Sequence, residues 1–281
     1  MQIGQYKIDI FETGDFALDG GAMFGVVPKP LWSKSYHAGD ELNRIAMTAR
    51  CLLIRSAERN ILVDTGCGDK MHPKMRSIYD LDNSIKSIDL SLVNYGIAAD
   101  DITDVILTHL HFDHAGGATV MRNGETVPTF PNAKYYVQKK HFEWANAPSE
   151  KDRASFMPEN WMPIVNAGMM EFTDGPGEIL NGINAVPLNG HTPAMQMITV
   201  SDEQTTLAFP ADLLPTAAHI PLPYIMGYDN YPLTTLEEKK IFLPQMAEEG
   251  WLIVFEHDRF TIAGKVVAGE KGFSCGEKTI I

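Results

Sequence analysis

The sequence predicts an α/β fold, two β-sheets face to face with helices on their outer sides, and three observations lead there. Strand-like and helix-like segments alternate along the chain instead of falling into separate blocks, which suits stacked sheets covered by helices. Residues with metal-binding side chains fall where strands end, so the functional site is expected at one rim of the sandwich. The 281 residues, 44% apolar and 21% charged, can bury a full core as one large domain or two closely packed halves. No linker, low-complexity stretch or short repeat interrupts them, and residues 1–281 are read as a single domain.

Residues 6–11, 46–55 and 60–64 read as strands from their β-branched and alternating apolar side chains, with the polar residues 56–59 as a hairpin turn. Residues 87–95 read as a short helix closed by Gly96, and residues 105–107 as a buried strand that runs into a histidine cluster. Strands continue at 134–137, 183–188, 195–200 and 206–209, with a helix over 138–146. Another helix begins near Thr234, where Thr234 and Glu237 have capping-box spacing, and ends at Gly250. Residues 251–256, WLIVFE, form a buried strand that delivers His257. Residues 23–32 and 156–170 are apolar stretches with no clean helical or strand period, and 213–232 is a long Pro-rich loop.

Composition excludes several classes of function. No apolar run approaches the length of a bilayer span, and the N-terminus enters strand-like alternation without a basic-then-apolar leader. A membrane partner is therefore not expected, and a cytoplasmic location is. Cys51, Cys67 and Cys275 lie at wide, patternless spacings and imply no disulfide framework; Cys67, in a Gly-rich turn, reads as a small buried thiol. The formal charge of −13 argues against nucleic acid, because phosphate backbones are gripped by an excess of lysine and arginine. Clustered carboxylates that would repel one another become favourable around divalent cations.

The chemistry is concentrated in residues 108–117, THLHFDHAGG. His109 and His111 are two apart on an incoming strand and point the same way, and the turn at Phe112 brings Asp113 and His114 to a neighbouring position. Imidazole and carboxylate suit zinc, iron or manganese, with a coordination position left for water. Such a pattern would arise by chance in about one random chain in a thousand.

HLHFDH, together with GHTPA at 190–194, FPAD at 209–212 and LVDTGCG at 62–68, resembles the metallo-β-lactamase superfamily over nearly the whole chain. The resemblance implies a four-layer αββα sandwich and two divalent metal ions, zinc first, with iron or manganese as alternatives. It assigns His109, His111 and His191 to one ion, Asp113, His114 and His257 to the other, and Asp212 to the bridge between them. Asp64 matches the aspartate that orients a metal-bound histidine. Residues 20–34 and 211–221 resemble YtnP-type quorum-quenching lactonases and, more distantly, methyl parathion hydrolase. Two positions depart from the pattern. Ala194 stands where the family often has glycine, and Pro215 stands where better-known acyl-homoserine lactonases carry a tyrosine that steadies the carbonyl oxygen.

The implied substrate is a lactone or related carboxylic ester with an apolar substituent; a phosphotriester or arylester is the alternative. Two cations sharing one water lower its pKa from about 15.7 toward neutrality, so a bridging hydroxide attacks the carbonyl. Asp113 and Asp212 are the catalytic carboxylates, Asp113 accepting and returning a proton. A di-iron redox protein of the same fold would need a flavin domain, and none follows to Ile281. Phe24, Trp32 and Trp161 are read as an apolar substrate wall, and His219, Tyr224 and Tyr228 as candidate hydrogen-bonding groups toward a small-molecule substrate. His37, His72 and His141 read as structural. A homodimer is compatible with all of this.

Overall fold

The structure, a computed structural model, describes residues 1–279. Two compact units emerge. The first comprises Met1–Phe16 and Thr48–Gly175; the second comprises Ala17–Met47 and the described chain from Pro176 onward. Among the described residues no helix is long and apolar enough to cross a membrane.

The first unit is built on a sheet in the order β1, β2, β3, β4, β5, β8, β9. Its strands are β1 (Gln2–Ile3), β2 (Tyr6–Asp19), β3 (Arg44–Arg55), β4 (Asn60–Val63) and β5 (Asp104–Ile106). A separate hairpin of β6 (Thr119–Arg122) and β7 (Glu125–Pro128) follows, then β8 (Lys134–Gln138) and β9 (Met170–Thr173). β3 and β4 form the expected hairpin, closed by Ser56 N–H on the Arg59 carbonyl. β4, β5, β8 and β9 run parallel and are therefore joined by crossovers; β5 is buried along its length, whereas β9, at the end of the sheet, is not. Leu53, Leu62, Val105, Leu107 and Tyr135 form the centre of the core, with Leu92 and Ala145 from the helices Ile88–Asn94 and Lys139–Asn146 packed on it. Ser87 caps the first of these helices on Leu90 N–H, and Gly96 takes a left-handed φ of 70° just beyond its end.

The second unit holds seven strands in sequence order: β10 (Gly177–Leu180), β11 (Ile183–Leu188), β12 (Met195–Ser201), β13 (Thr206–Phe209), β14 (Leu252–Val254), β15 (Ala263–Gly269) and β16 (Gly272–Thr279). All neighbours are antiparallel except β13 and β14. That parallel pair is joined by the crossover helix Pro232–Glu248, whose Leu243 and Met246 pack with Met197, Ala208 and Ile253.

Three sequence expectations are corrected. β2 runs to Asp19 rather than stopping near residue 11; Gly14 and the acidic residues hide its period, but pairing with β3 carries it on. The crossover helix starts at Pro232, with proline in its first turn and no side-chain cap; Thr234 and Glu237 form no capping box, because proline pre-sets the first turn two residues earlier. Residues 23–32 and 156–170, read as without period, contain the short helices Gly20–Phe24, Lys29–Ser35 and Met162–Asn166. One or two turns of helix are too short to establish a hydrophobic repeat.

Candidate metal centre

In the first unit the candidate ligands come from one continuous segment. Beyond β5, Leu107 N–H still bonds the Tyr136 carbonyl, and the chain bends at Thr108 before His109. Leu110 N–H donates to Nε2 of the buried His141 at 2.8 Å, which pins the peptide between the first two histidines. His109 Nε2 and His111 Nδ1 then face each other at 3.0 Å. One helical turn, Phe112–Ala115, carries Asp113 and His114, whose Oδ1 and Nε2 lie 3.8 Å apart. The two glycines that follow are required by close approach. A Cβ at Gly116 would stand 2.1 Å from the Cys67 carbonyl oxygen, and one at Gly117 2.2 Å from that of Thr65.

Asp64 fixes this segment. Its Oδ1 accepts Thr108 N–H at 2.7 Å, while Oδ2 accepts the Thr108 hydroxyl at 2.5 Å and lies 3.0 Å from His114 Nδ1. A carboxylate on Nδ1 leaves Nε2 as the nitrogen that can ligate. Asp64 holds a left-handed φ of 58° and is wholly buried, a strained conformation of the kind that clusters at functional sites.

In the second unit three separate strand ends supply the candidate ligands. β11 leads through Asn189 and Gly190 to His191, β13 through Pro210 to Asp212, and β14 to His257. His191 Nε2 lies 3.0 Å from one Asp212 oxygen, and His257 Nε2 lies 3.3 Å from the other. An imidazole on each oxygen is the arrangement a bridging carboxylate requires. The His257 backbone N–H donates to the Pro215 carbonyl at 2.9 Å, so the residue that stands at the lactonase tyrosine's position helps to hold a candidate ligand. Behind His191, Asp229 Oδ1 sits 2.9 Å from Nδ1, and its Oδ2 accepts the Thr235 hydroxyl at 2.8 Å. Burial works against a charge on His191, but the carboxylates of Asp212 and Asp229 outweigh it and hold the ring up to about 9. The negative charge that keeps a proton there is charge a divalent cation can neutralise. Imidazole nitrogens converging on each other and on a shared carboxylate therefore fit divalent metal in both units.

Asp229 escaped the sequence reading. It lies in YDNYP with no fixed spacing to His191, and its one signal is a carboxylate within the long loop already singled out. The other expected residues fall as follows. Phe24 and Trp32 are buried in the second unit, where Phe24 stacks on Trp32 at 5.1 Å and on His219 at 4.7 Å. Trp161 is buried in the first unit, edge-on to Phe156, which in turn packs on His111 at 4.6 Å. Both ring nitrogens of His219 are engaged, one by the Thr216 hydroxyl at 2.7 Å and one by the Met23 carbonyl at 2.8 Å. Burial pushes this ring down to about 4, so it is a neutral, structural histidine. Tyr224 and Tyr228 are half-buried, the Tyr224 hydroxyl lying 3.3 Å from Ser35. His72 caps a short helix on Lys74 N–H, and Cys67 is buried and in no disulfide.

Histidines and carboxylates gathered at the strand ends of a mixed α/β protein define a metal-dependent hydrolase. The profile of the metallo-β-lactamase superfamily matches residues 46–257, and the chain belongs to that superfamily. An N-acyl homoserine lactonase of Bacillus thuringiensis is 28% identical over an alignment of 227 residues that covers 74% of this chain and 80% of that protein. A probable metal-dependent hydrolase from Staphylococcus aureus shares the fold over the full length of both chains, with a TM-score of 0.89 and 30% identity. The fold also recurs in AidC, described as a dizinc quorum-quenching lactonase in complex with a product. That match has a TM-score of 0.81 and 22% identity, covering 100% of this chain and 97% of AidC.

Proposed function

We propose that the seven ligands His109, His111, Asp113, His114, His191, Asp212 and His257 serve one dinuclear centre that opens acyl-homoserine-type lactones or related carboxylic esters. The observation that carries this reading is Asp212, with an imidazole nitrogen 3.0 Å from one oxygen and another 3.3 Å from the other. The lactonase of B. thuringiensis, similar over three quarters of this chain, supports the substrate class. Zinc is the ion the donor set fits best.

When bound, two divalent cations supply an acidified water and a Lewis acid for the substrate carbonyl. Asp113 takes the proton released as the carbonyl is attacked and returns it to the departing alkoxide. Asp64 and Asp229 hold His114 and His191 by their Nδ1 atoms, so that each presents Nε2. The alkoxide of a lactone stays tethered to its acyl group, so the reaction needs no separate site for a leaving group.

The test is metal analysis of protein purified without chelator, followed by kcat/KM on one preparation for acyl-homoserine lactones, aryl esters and an aryl phosphotriester. The expected result is close to two equivalents of metal and highest efficiency on a lactone. A stoichiometry that stays near one under replete conditions overturns the dinuclear centre. A phosphotriester preferred by about tenfold, equivalent to about 1.4 kcal/mol, transfers the assignment to organophosphate hydrolysis.

A further inference from the structure

The crossover helix Pro232–Glu248 buries a polar stripe. Thr235, Glu238 and Lys239 are 2%, 9% and 0% exposed, and their spacing puts them on one face. Thr235 reaches Asp229, and Glu238 accepts the N–H groups of Asn189 and Gly190, the two residues before His191. Lys239 serves a different segment. Its Nζ donates to the backbone carbonyls of His219 at 2.7 Å, Pro221 at 2.8 Å and Tyr224 at 2.9 Å, with the Leu222 carbonyl at 3.4 Å.

Burial pushes the Lys239 ammonium down to about 7, but a neutral amine has only two N–H bonds and an ammonium has three, and three of these four oxygens lie at short hydrogen-bond distance. The segment reads HIPLPY, and Pro221 and Pro223 have no N–H to donate. The run makes only isolated turn bonds, Tyr224 N–H on the Pro221 carbonyl and Ile225 N–H on the Pro223 carbonyl, and no continuous ladder, while buried carbonyls need a partner. An arc of backbone oxygens around one positive centre is also how proteins replace the hydration shell of a potassium ion. Space filling does not account for lysine here, since methionine would occupy the same volume without burying a charge. The arc is coupled to an aromatic group, for His219 stacks on Phe24, and Tyr224 meets Phe24 edge-on at 6.0 Å.

We propose that Lys239 is a positioning residue, a cation built into the chain that fixes the backbone of residues 219–224 and the aromatic group on it, and so sets which acyl substituents are accepted. The clause on acyl substituents rests on the lactone reading; the clause on the backbone does not.

The experiment compares Lys239→Ala, Lys239→Met and Lys239→Arg with the wild type by amide hydrogen exchange over residues 220–225, and by kcat/KM for a long-chain and a short-chain acyl lactone. In Lys239→Ala, protection of those amides should fall at least tenfold and return on adding potassium or methylammonium, but not tetramethylammonium. The long-to-short selectivity ratio should move at least fivefold, mainly through KM, and return with the same cations. Lys239→Met should show the loss without the rescue. If the uncharged variants do not fold with any cation, Lys239→Arg decides: it keeps the charge but not the geometry, so it should shift selectivity, and an unchanged ratio overturns the proposal. Unchanged protection in all variants, or protection lost while selectivity stays within twofold, also overturns it. If the wild type opens no lactone, the lactone reading fails, the ratio is measured on the acyl esters it does cleave, and the exchange data judge the backbone clause separately.

Discussion

The two units bring their candidate ligands into similar geometry by opposite routes. In the first, four ligands occupy six consecutive residues, and a single extended-to-helical turn orients them. In the second, three ligands come from the ends of three strands, spread over 67 residues from His191 to His257, and only the register of β11, β13 and β14 aligns them. Yet each unit puts a buried carboxylate on the Nδ1 of one histidine, Asp64 on His114 and Asp229 on His191. Each also holds non-glycine residues at left-handed φ beside its ligands: Asp64 in the first, Ala194 and Ala211 in the second. The orienting chemistry is shared, and what differs is whether sequence proximity or sheet topology delivers it.

The comparison breaks most readily at Asp212, because its removal takes a partner from two histidines at once. Asp212→Ala should lower kcat/KM by on the order of a thousandfold or more and reduce bound metal with it. A variant that keeps its metal and falls less than tenfold would mean that Asp212 is no bridge. Acid should next distinguish the units. His219 is held neutral in the fold, pushed down to about 4 by burial, against 6.5 for an exposed ring. Between those values the unfolded chain binds a proton that the folded chain does not. Stability from this residue is therefore full above pH 6.5 and falls by up to about 3 kcal/mol as pH drops toward 4. Urea unfolding of wild type and His219→Gln across that range should converge as pH falls; parallel profiles would remove His219 as the cause.

The similarity between the units is sharpened by pairing Asp64→Asn with Asp229→Asn. Each should weaken metal binding by about 10- to 100-fold, measured by competition with a chelating dye. If only Asp64→Asn does so, the second unit orients His191 by another means. The smallest expected effect is at Ala194, whose φ of 55° is costly for any residue with a Cβ. Ala194→Gly should raise stability by about 1 kcal/mol or less in thermal unfolding, with activity unchanged.

The same contrast explains what could be read from the sequence. HLHFDH was legible because four ligands within six residues need no knowledge of the fold. His191, Asp212 and His257 entered through resemblance, since nothing in their spacing relates them. The apolar strands β4, β5, β12 and β13 were legible from composition. Asp229 was not legible, because its partner lies 38 residues away and a loop carboxylate is usually solvated. Nor was Lys239: charged residues on a helix ordinarily face water, and only the crossover of β13 to β14 turns this face inward. Phe24 and Trp32 were noticed for their apolar character, but the stack that buries them depends on His219, nearly two hundred residues later.

Every candidate ligand in both units lies past the C-terminal end of its strand, while the turns at 56–59 and 202–205 lie at the other ends of β4 and β13. Evolution can therefore alter the two ends of a strand on separate accounts. Lengthening the 202–205 turn, or cutting the chain there to make a circular permutant, leaves the approach of β13 to Asp212 intact. A single insertion between Phe209 and Asp212 does not. Libraries meant to diversify this scaffold without losing its chemistry belong at the first kind of position, and grafts meant to change the reaction belong at the second.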